Sequence, residues 1–331
     1  MTQADLTSSA RLQNPAAPAM TPLRRTLMRI TRLFDDARFL PILLIAPVLI
    51  FFIVWNVIPT LWMIGLSFYR YQISIPDSLA FLGIDNYTDI IRDRAMWQGL
   101  SRTFIWVFFG VGIQTILGMA LGYLFWGSKS MPGRRLALTL LFTPMIVTPV
   151  AAGLFFRLIY EPTFGILNWF TQSVFGQQVL LLQNPEVAFW AVLFVDIWMW
   201  TPFMILITLA ALASVPKAEM EAAEIDRLSW FDRIRYIILP HGKYILMLGI
   251  LLRTIDAFKT LDLVYLMAVP GSTTKLIAIL LRESAFEALN VGWSSALAII
   301  LLLTAIAFTS IYLYILNLNS KAKAKETNSR S

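Results

Sequence analysis

The stretch EMEAAEIDRLSWFDRIRYIILP, Glu219–Pro240, carries eight charged side chains and lies between two segments apolar enough to sit in lipid. Its surroundings decide how it is read. The 331-residue chain is 58% hydrophobic and 14% charged, with a mean hydropathy of +0.68. Soluble domains carry about a quarter charged residues, so this composition is that of a membrane protein. The net charge of +7 would suit nucleic acid, but the basic residues avoid the apolar runs and gather between them, which is a topology signal. There is no cysteine, which excludes disulfides, thiolate metal sites and a cysteine nucleophile. His241 is the only histidine, so a histidine metal cluster and a Ser-His-Asp triad are excluded as well.

A helix needs about 20 apolar residues to cross the hydrocarbon core. Phe39–Tyr69 offers 31 uncharged residues, too long for the apolar region of a cleavable signal, and is read as a retained span kinked or entered at Pro41, Pro47 and Pro59. Thr103–Trp126, Leu136–Phe156, Val187–Val215 and Trp293–Leu316 also qualify, with only Asp196 charged among them. Tyr244–Val269 is long enough but contains Arg253, Asp256, Lys259 and Asp262. Pro162–Pro185 has 24 uncharged residues, yet its amides (Asn168, Gln172, Gln177, Gln178, Gln183 and Asn184) are costly in hydrocarbon without partners. It is read as an interfacial loop with a short amphipathic helix.

The expected fold is therefore all-α: a polytopic membrane protein of six spans over residues 39–317, with a helical loop at 214–240. Residues 1–38 form an N-terminal tail and 318–331 a basic C-terminal tail. With both ends inside, the cytoplasmic segments 1–38, 127–135, 214–243 and 318–331 hold six, three, five and four Lys/Arg. The outer segments 70–97, 160–186 and 270–292 hold three, none and two. The excess of inner positive charge supports this orientation.

Glu219–Pro240 then lies in the cytoplasm and reads as two short helices. Ser214 is placed to cap the first, with Pro216 in its first turn and KAEMEAAEI made of strong helix formers. Ser229, three residues before Asp232, opens the second through a capping box, and Pro240 ends it. Trp230, Ile234, Ile237 and Ile238 line one face. Such a hairpin presents Glu221, Ala222 and Ala223 outward and suits either a groove in a partner protein or the lipid headgroups. Pattern alone leaves both open.

The residues EAAEIDRLSWFDRIRYIILP resemble the EAA loop of the permease subunits of binding-protein-dependent ABC importers. Glu221, Ala222, Ala223, Asp226, Ile237, Leu239 and Pro240 match its pattern. FLGIDNYTDII, YEPTFGILNWF, IWMWTPFMILITLAALASVPKAEMEAA and LRTIDAFKTLDLVYLMAVPG extend the resemblance to the carbohydrate branch, which includes maltose, trehalose and glycerol-3-phosphate permeases. The resemblance implies a coupling helix seated in a cleft of a cytoplasmic ATPase subunit, with Glu221, Ala222, Ala223, Asp226 and Arg227 at the contact. It also implies a heterodimer with a second permease, two ATPase subunits that bind ATP and Mg, and a periplasmic substrate-binding protein. This chain has no P-loop of its own, and neither GSKSMPGRR nor GSTTK qualifies, so no cofactor and no enzymatic activity are expected of it. The family's glycine after the aspartate is Arg227 here, and the next alanine is Leu228. A non-glycine residue in a left-handed turn costs about 1–2 kcal/mol, so either the turn is reshaped or Arg227 reaches an acidic group on the partner.

Arg253, Asp256, Lys259 and Asp262 recur every three residues with charges that sum to zero. Unpaired, each would cost about 2.5–3.5 kcal/mol at mid-membrane, so they are expected to pair and to face protein or water. They form either a polar wall of the translocation path or a structural ladder. Asp196, Trp198, Trp200, Asn168 and Tyr265 supply carboxylate, amide and aromatic groups of the kind that bind sugars along a translocation path. Aromatics near a membrane interface also serve simply as belt residues. No Lys or Arg occurs from Tyr160 to Glu186, where a phosphorylated substrate would need charge-assisted contacts, so a neutral sugar or polyol is expected over glycerol-3-phosphate. An ion-coupled secondary transporter would use the same charges as a relay, but the inverted repeat that such folds often show is not evident.

Overall fold

The computed structural model describes residues 40–127, 132–267 and 274–328. It divides into two compact units, Met1–Trp62 and Met63–Ser331. The N-terminal tail 1–38 lies outside the described residues.

The first span begins as α1 (Leu40–Phe52), passes through a π-helical turn (Ile53–Val57) and continues as α2 (Ile58–Leu66). Pro59 explains the turn. A proline lacks the N–H that would bond the carbonyl four residues back and its ring clashes with that carbonyl, so the backbone widens over the preceding turn. Pro47 is carried inside α1 without a break.

In the second unit, a two-residue antiparallel pair, β1 (Tyr69–Arg70) with β2 (Ala80–Phe81), precedes α3 (Asp85–Arg92) and the long α4 (Arg94–Gly127). Next come α5 (Arg134–Ile146), α6 (Pro149–Ile159), α7 (Ile166–Phe175) and α8 (Pro185–Ala213). The loop hairpin holds α9 (Lys217–Ile225) and α10 (Trp230–Arg233), which runs through a second π turn (Ile234–Ile238) into α11 (Leu239–Phe258). The chain ends with α12 (Asp262–Met267), α13 (Ile277–Arg282), a third π turn (Glu283–Glu287) and α14 (Val291–Asn328), which carries the helix into the expected tail.

The helices pack on small residues, as membrane helices do where lipid is as apolar as a leucine. A Cβ on Gly118 would lie 2.5 Å from the Met204 Cβ, and one on Gly249 2.5 Å from the Ile207 Cγ2, so α4 and α11 approach α8 as only glycine permits. Directions follow from such pairs. Gly110 faces Leu193, Gly118 faces Met204 and Gly122 faces Thr208; the numbers rise together, so α4 and α8 are parallel. Gly242 faces Ala211 and Gly249 faces Ile207, so α11 is antiparallel to α8.

The span expected at Leu136–Phe156 is not one straight helix: α5 and α6 meet at 101°. Thr148 precedes Pro149 and is pushed out of the helical region, to φ −67°, ψ 148°; Val147 is extended too. Thr148 then caps α6, its hydroxyl accepting from the Ala151 N–H at 3.3 Å, with Pro149 in the first turn. The bent pair still crosses. Arg134 Nε donates to the Phe125 carbonyl near the end of α4 (3.1 Å), whereas Tyr160, just past α6, donates to the Ala191 carbonyl near the start of α8 (3.4 Å). Two parallel spans need one return between them, and α5–α6 supplies it. Five long apolar helices, with this pair counted as one span, give six candidate spans.

Two further expectations are corrected. Pro240 does not end a helix: the π turn Ile234–Ile238 absorbs its missing bond, and Trp230–Phe258 is continuous for 29 residues. The fifth span stops at Phe258 rather than Val269, which lies outside the described residues, and Lys259–Leu261 separate α11 from α12. Pro162–Pro185, by contrast, folds as read, into the ten-residue α7 with Trp169, Phe170 and Phe175 exposed.

Candidate functional site

Three helices bring polar groups to one point in the bundle. Asp196 sits on α8, Gln114 on α4 and Arg253 on α11, all buried. Gln114 Nε2 donates to the Asp196 Oδ2 at 3.0 Å and to its backbone carbonyl at 3.1 Å, while Gln114 Oε1 accepts from Arg253 Nε at 2.9 Å. Arg253 Nη2 pairs with Asp196 Oδ2. Arg253 Nη1 reaches Asp256 Oδ2 at 3.1 Å, across one turn of α11. The guanidinium also lies over Trp200, 5.0 Å from the ring centroid, an arrangement worth about 0.5–2 kcal/mol according to its desolvation. A buried ion pair is tolerated only when its remaining donors and acceptors are filled. Here the guanidinium is bonded to two carboxylates and an amide.

The network borders a cavity of about 140 Å³ lined by Asp196, Trp200, Asp256, Lys259, Thr260 and Asp262, with Pro149 from the α5–α6 bend. The interruption of α11 at Lys259 opens this space. It also ends the expected charge ladder after its first rung. Arg253 and Asp256 pair, but among the described residues Lys259 and Asp262 form no ion pair, and both are exposed. They line the cavity without extending the ladder, because the helix that would have stacked them stops at Phe258.

Other residues singled out in the sequence lie elsewhere. Trp198 packs edge-on to Phe156 at 5.1 Å, within the apolar core. Asn168 is buried with its amide taken up: Nδ2 donates to the Glu161 carbonyl (3.2 Å), and Oδ1 accepts from the Val179 N–H (2.7 Å), which anchors α7. Tyr265 is stacked under Arg282, 3.7 Å from its ring centroid. Gln114 was not singled out, although it is the only carboxamide between Thr103 and Trp126.

The loop hairpin forms the second site. Leu228 N–H bonds the Ala223 carbonyl (3.0 Å) and Asp226 N–H the Ala222 carbonyl (2.9 Å), closing α9 with Arg227 at φ 53°. The turn thus takes the left-handed shape that glycine would take, despite the arginine. Ser229 caps α10 as read, its hydroxyl accepting from Asp232 N–H at 3.2 Å. Ser214 does not cap α9: its hydroxyl donates to the Ala211 carbonyl (2.7 Å) at the end of α8, and the fixed φ of Pro216 makes that residue the start of α9. Glu221, Ala222, Asp226 and Arg227 are exposed, but Ala223 is buried. It packs with Leu212, Val215, Ile237 and Ile238 and holds α9 to its own bundle, so the expectation that it faces outward is corrected. Ile225, at 81% exposure, takes the outward apolar position instead.

The fold is a helical bundle with a buried charged network and a helical hairpin at one end. Residues 16–320 match the family described as binding-protein-dependent transport system inner membrane component, and the chain belongs to that family. The trehalose/maltose transport system permease MalF of Thermococcus litoralis is 31% identical over 81% of this chain and 90% of its own length. The trehalose transport system permease SugA of Mycobacterium tuberculosis is 30% identical over 82% of this chain and 87% of its own. In fold, the chain is similar to a permease in the crystal structure of a bacterial ABC transporter that imports the acidic polysaccharide alginate, with a TM-score of 0.71 at 17% identity, covering 88% of this chain and 98% of that one. The protein is thus a multi-pass inner-membrane permease of an ABC importer and not an enzyme; ATP hydrolysis belongs to a separate ATPase subunit. Membership also removes the ion-coupled secondary transporter.

Proposed function

We propose that this subunit forms, with a second permease, the translocation path for a neutral sugar or polyol delivered by a periplasmic binding protein. The observation that carries the proposal is the cavity beside the Gln114–Asp196–Arg253–Asp256 network. Its wall combines an indole face at Trp200 with carboxylate, ammonium and hydroxyl groups at Asp256, Lys259, Asp262 and Thr260, the set that hydroxyl-rich rings bind. The network and the cavity wall together carry three carboxylates (Asp196, Asp256 and Asp262) against two cations (Arg253 and Lys259), so there is no net positive charge for a phosphate. The two permeases that transport trehalose or maltose support the carbohydrate class. Glu221, Ala222, Asp226 and Arg227 dock on an ATPase subunit, one of a pair that holds ATP and Mg, and both termini lie in the cytoplasm. The chain itself binds no cofactor, as befits a permease subunit.

The test is uptake by the reconstituted transporter with its binding protein, comparing trehalose and maltose with glycerol 3-phosphate. Neutral sugars should be taken up in an ATP-dependent way and Trp200→Ala should reduce their uptake. Uptake of the phosphorylated compound alone would overturn the substrate class.

A further inference from the structure

At the opposite end of the bundle from α9 lies a much larger cavity, of about 890 Å³. That volume falls within the roughly 300–1,000 Å³ of small-molecule sites, whereas the space beside Asp196 falls below it. Its walls come from α12 (Tyr265), α13 and the π turn after it (Glu283, Ser284, Glu287), α14 (Trp293) and the end of α6 (Arg157). We propose that this cavity is an entry chamber that binds a neutral oligosaccharide of more than one ring before it reaches the inner cavity. The inference rests on the carbohydrate reading above and adds a second site and a substrate length.

Three observations carry it. The lining is amphipathic: Asp93, Glu283 and Glu287 stand against Arg157 and Lys275, and Arg282, which is not itself part of the lining, restores the balance by pairing with Glu287. Lys275 pairs with Glu283 at 2.7 Å, and Arg282, which stacks on Tyr265, pairs with Glu287 at 2.7 Å. Arg157 gives one N–H to the Leu266 carbonyl (3.1 Å), and Asp93 completes the wall with a third carboxylate. The surface offers many donors and acceptors with its carboxylates largely offset by neighbouring cations, which suits a neutral polyhydroxyl ligand better than an anion.

Second, one wall contains unfavourable backbone. Glu283–Glu287 is a π turn, and Leu289, two residues on, is held at φ 54° without being glycine. Both conformations are disfavoured and tend to persist at sites. The outer segment after β1 pins this wall: Gln72 bridges Asn290, the Ile73 N–H bonds the Leu289 carbonyl at 3.0 Å, and the Gly292 N–H bonds the Tyr71 carbonyl at 3.0 Å. The chamber is thereby preorganised, which lowers the cost of binding.

Third, α12 borders both spaces. Asp262 and Leu263 line the inner cavity, and Tyr265 and Leu266 the outer one, so this six-residue helix is the partition a passing sugar would meet.

The absence of cysteine permits a direct test. Ser284→Cys places a single thiol on the chamber wall, and Ala288→Cys does the same should the first variant fail to assemble. In the transporter reconstituted without its binding protein, the rate of maleimide labelling is measured with glucose, maltose, maltotriose and maltohexaose. The oligosaccharides should slow labelling several-fold, glucose should not, and a control thiol at Ser173→Cys on α7 should be unaffected. Adding Trp293→Ala should raise the concentration needed for protection. Equal protection at the control thiol, no protection by any saccharide, or protection by the sugar-free binding protein alone would overturn the chamber; the last would make this face a protein contact. Uptake by the transporter carrying this subunit without an added cysteine, measured in parallel, separates the two readings. Neutral-sugar uptake without protection removes the chamber and leaves the transport reading standing. Protection without such uptake removes the transport reading instead.

Discussion

At the scale of single residues, Arg253 is the group on which most depends. It is buried, it neutralises Asp196, and it reaches Asp256, so three helices meet through one guanidinium and the Gln114 amide. Removing one partner of a buried pair costs about 3–5 kcal/mol, because the remaining charge is stranded in low dielectric. Arg253→Met should therefore lower yield and thermal stability in detergent strongly, whereas Arg253→Met with Asp196→Asn should recover much of the loss. If the double variant is as unstable as the sum of the singles, the pair is not coupled. Arg227 presents the reverse case. It occupies a left-handed turn that glycine takes without strain, and relieving this contributes about 1 kcal/mol once the greater freedom of glycine in the unfolded chain is subtracted. Arg227→Gly should slow proteolysis of the loop but reduce ATP-coupled uptake, because the docking guanidinium is lost. Unchanged uptake would show instead that the turn alone suffices and would remove Arg227 from the docking assignment.

At the scale of elements, local chemistry was legible and long-range partnership was not. The Ser229 cap, the α7 helix and the Arg253–Asp256 pair lie within a few residues of their partners, so spacing alone places them. Asp196 and Arg253 are 57 residues apart, and Gln114 and Arg253 139 apart, which no periodicity encodes. The proline breaks were visible but ambiguous. Pro59 and Pro240 are absorbed by π turns, while Thr148–Pro149 bends the chain by 101°. The difference lies in the neighbours: Thr148 can cap a new helix, whereas Phe52–Val57 and Arg233–Ile238 stay helical and only widen. The face of α9 is likewise not legible locally, since its inward side is fixed by Ile237 and Ile238 across the hairpin. That face predicts two different phenotypes. Ala223→Asp buries an unpaired carboxylate in the apolar cluster and should reduce the amount of folded transporter. Glu221→Lys, on the exposed side, should leave assembly normal, abolish ATP-coupled uptake, and leave ATP hydrolysis insensitive to the loaded binding protein. Normal uptake in Glu221→Lys would remove the docking assignment.

For the whole molecule, topology follows from helix direction combined with charge. α4 and α8 are parallel, α11 opposes both, and the bent pair α5–α6 returns the chain between the two parallel spans. The hairpin of α9 and α10 and the link after α4 therefore share one face of the membrane, while α3, α7 and the entry chamber share the other. The first face carries Arg134, Arg135, Lys217, Arg227, Arg233 and Arg235, and the link from Tyr160 to Glu186 on the second carries no Lys or Arg. Positive charge is retained on the cytoplasmic side because its translocation is disfavoured, so the hairpin is expected inside and α7 outside. Reporters inserted after Gly133 and after Gln178 distinguish this from the alternative in which α5–α6 enters and leaves by the same face. The Gly133 insertion should report cytoplasm and the Gln178 insertion periplasm, with an insertion after Asp77 reporting periplasm as well. A cytoplasmic signal at Gln178 would make the bent pair a re-entrant loop. It would also require α4 and α8 to span in opposite directions, contrary to the rising register of Gly110, Gly118 and Gly122 against Leu193, Met204 and Thr208.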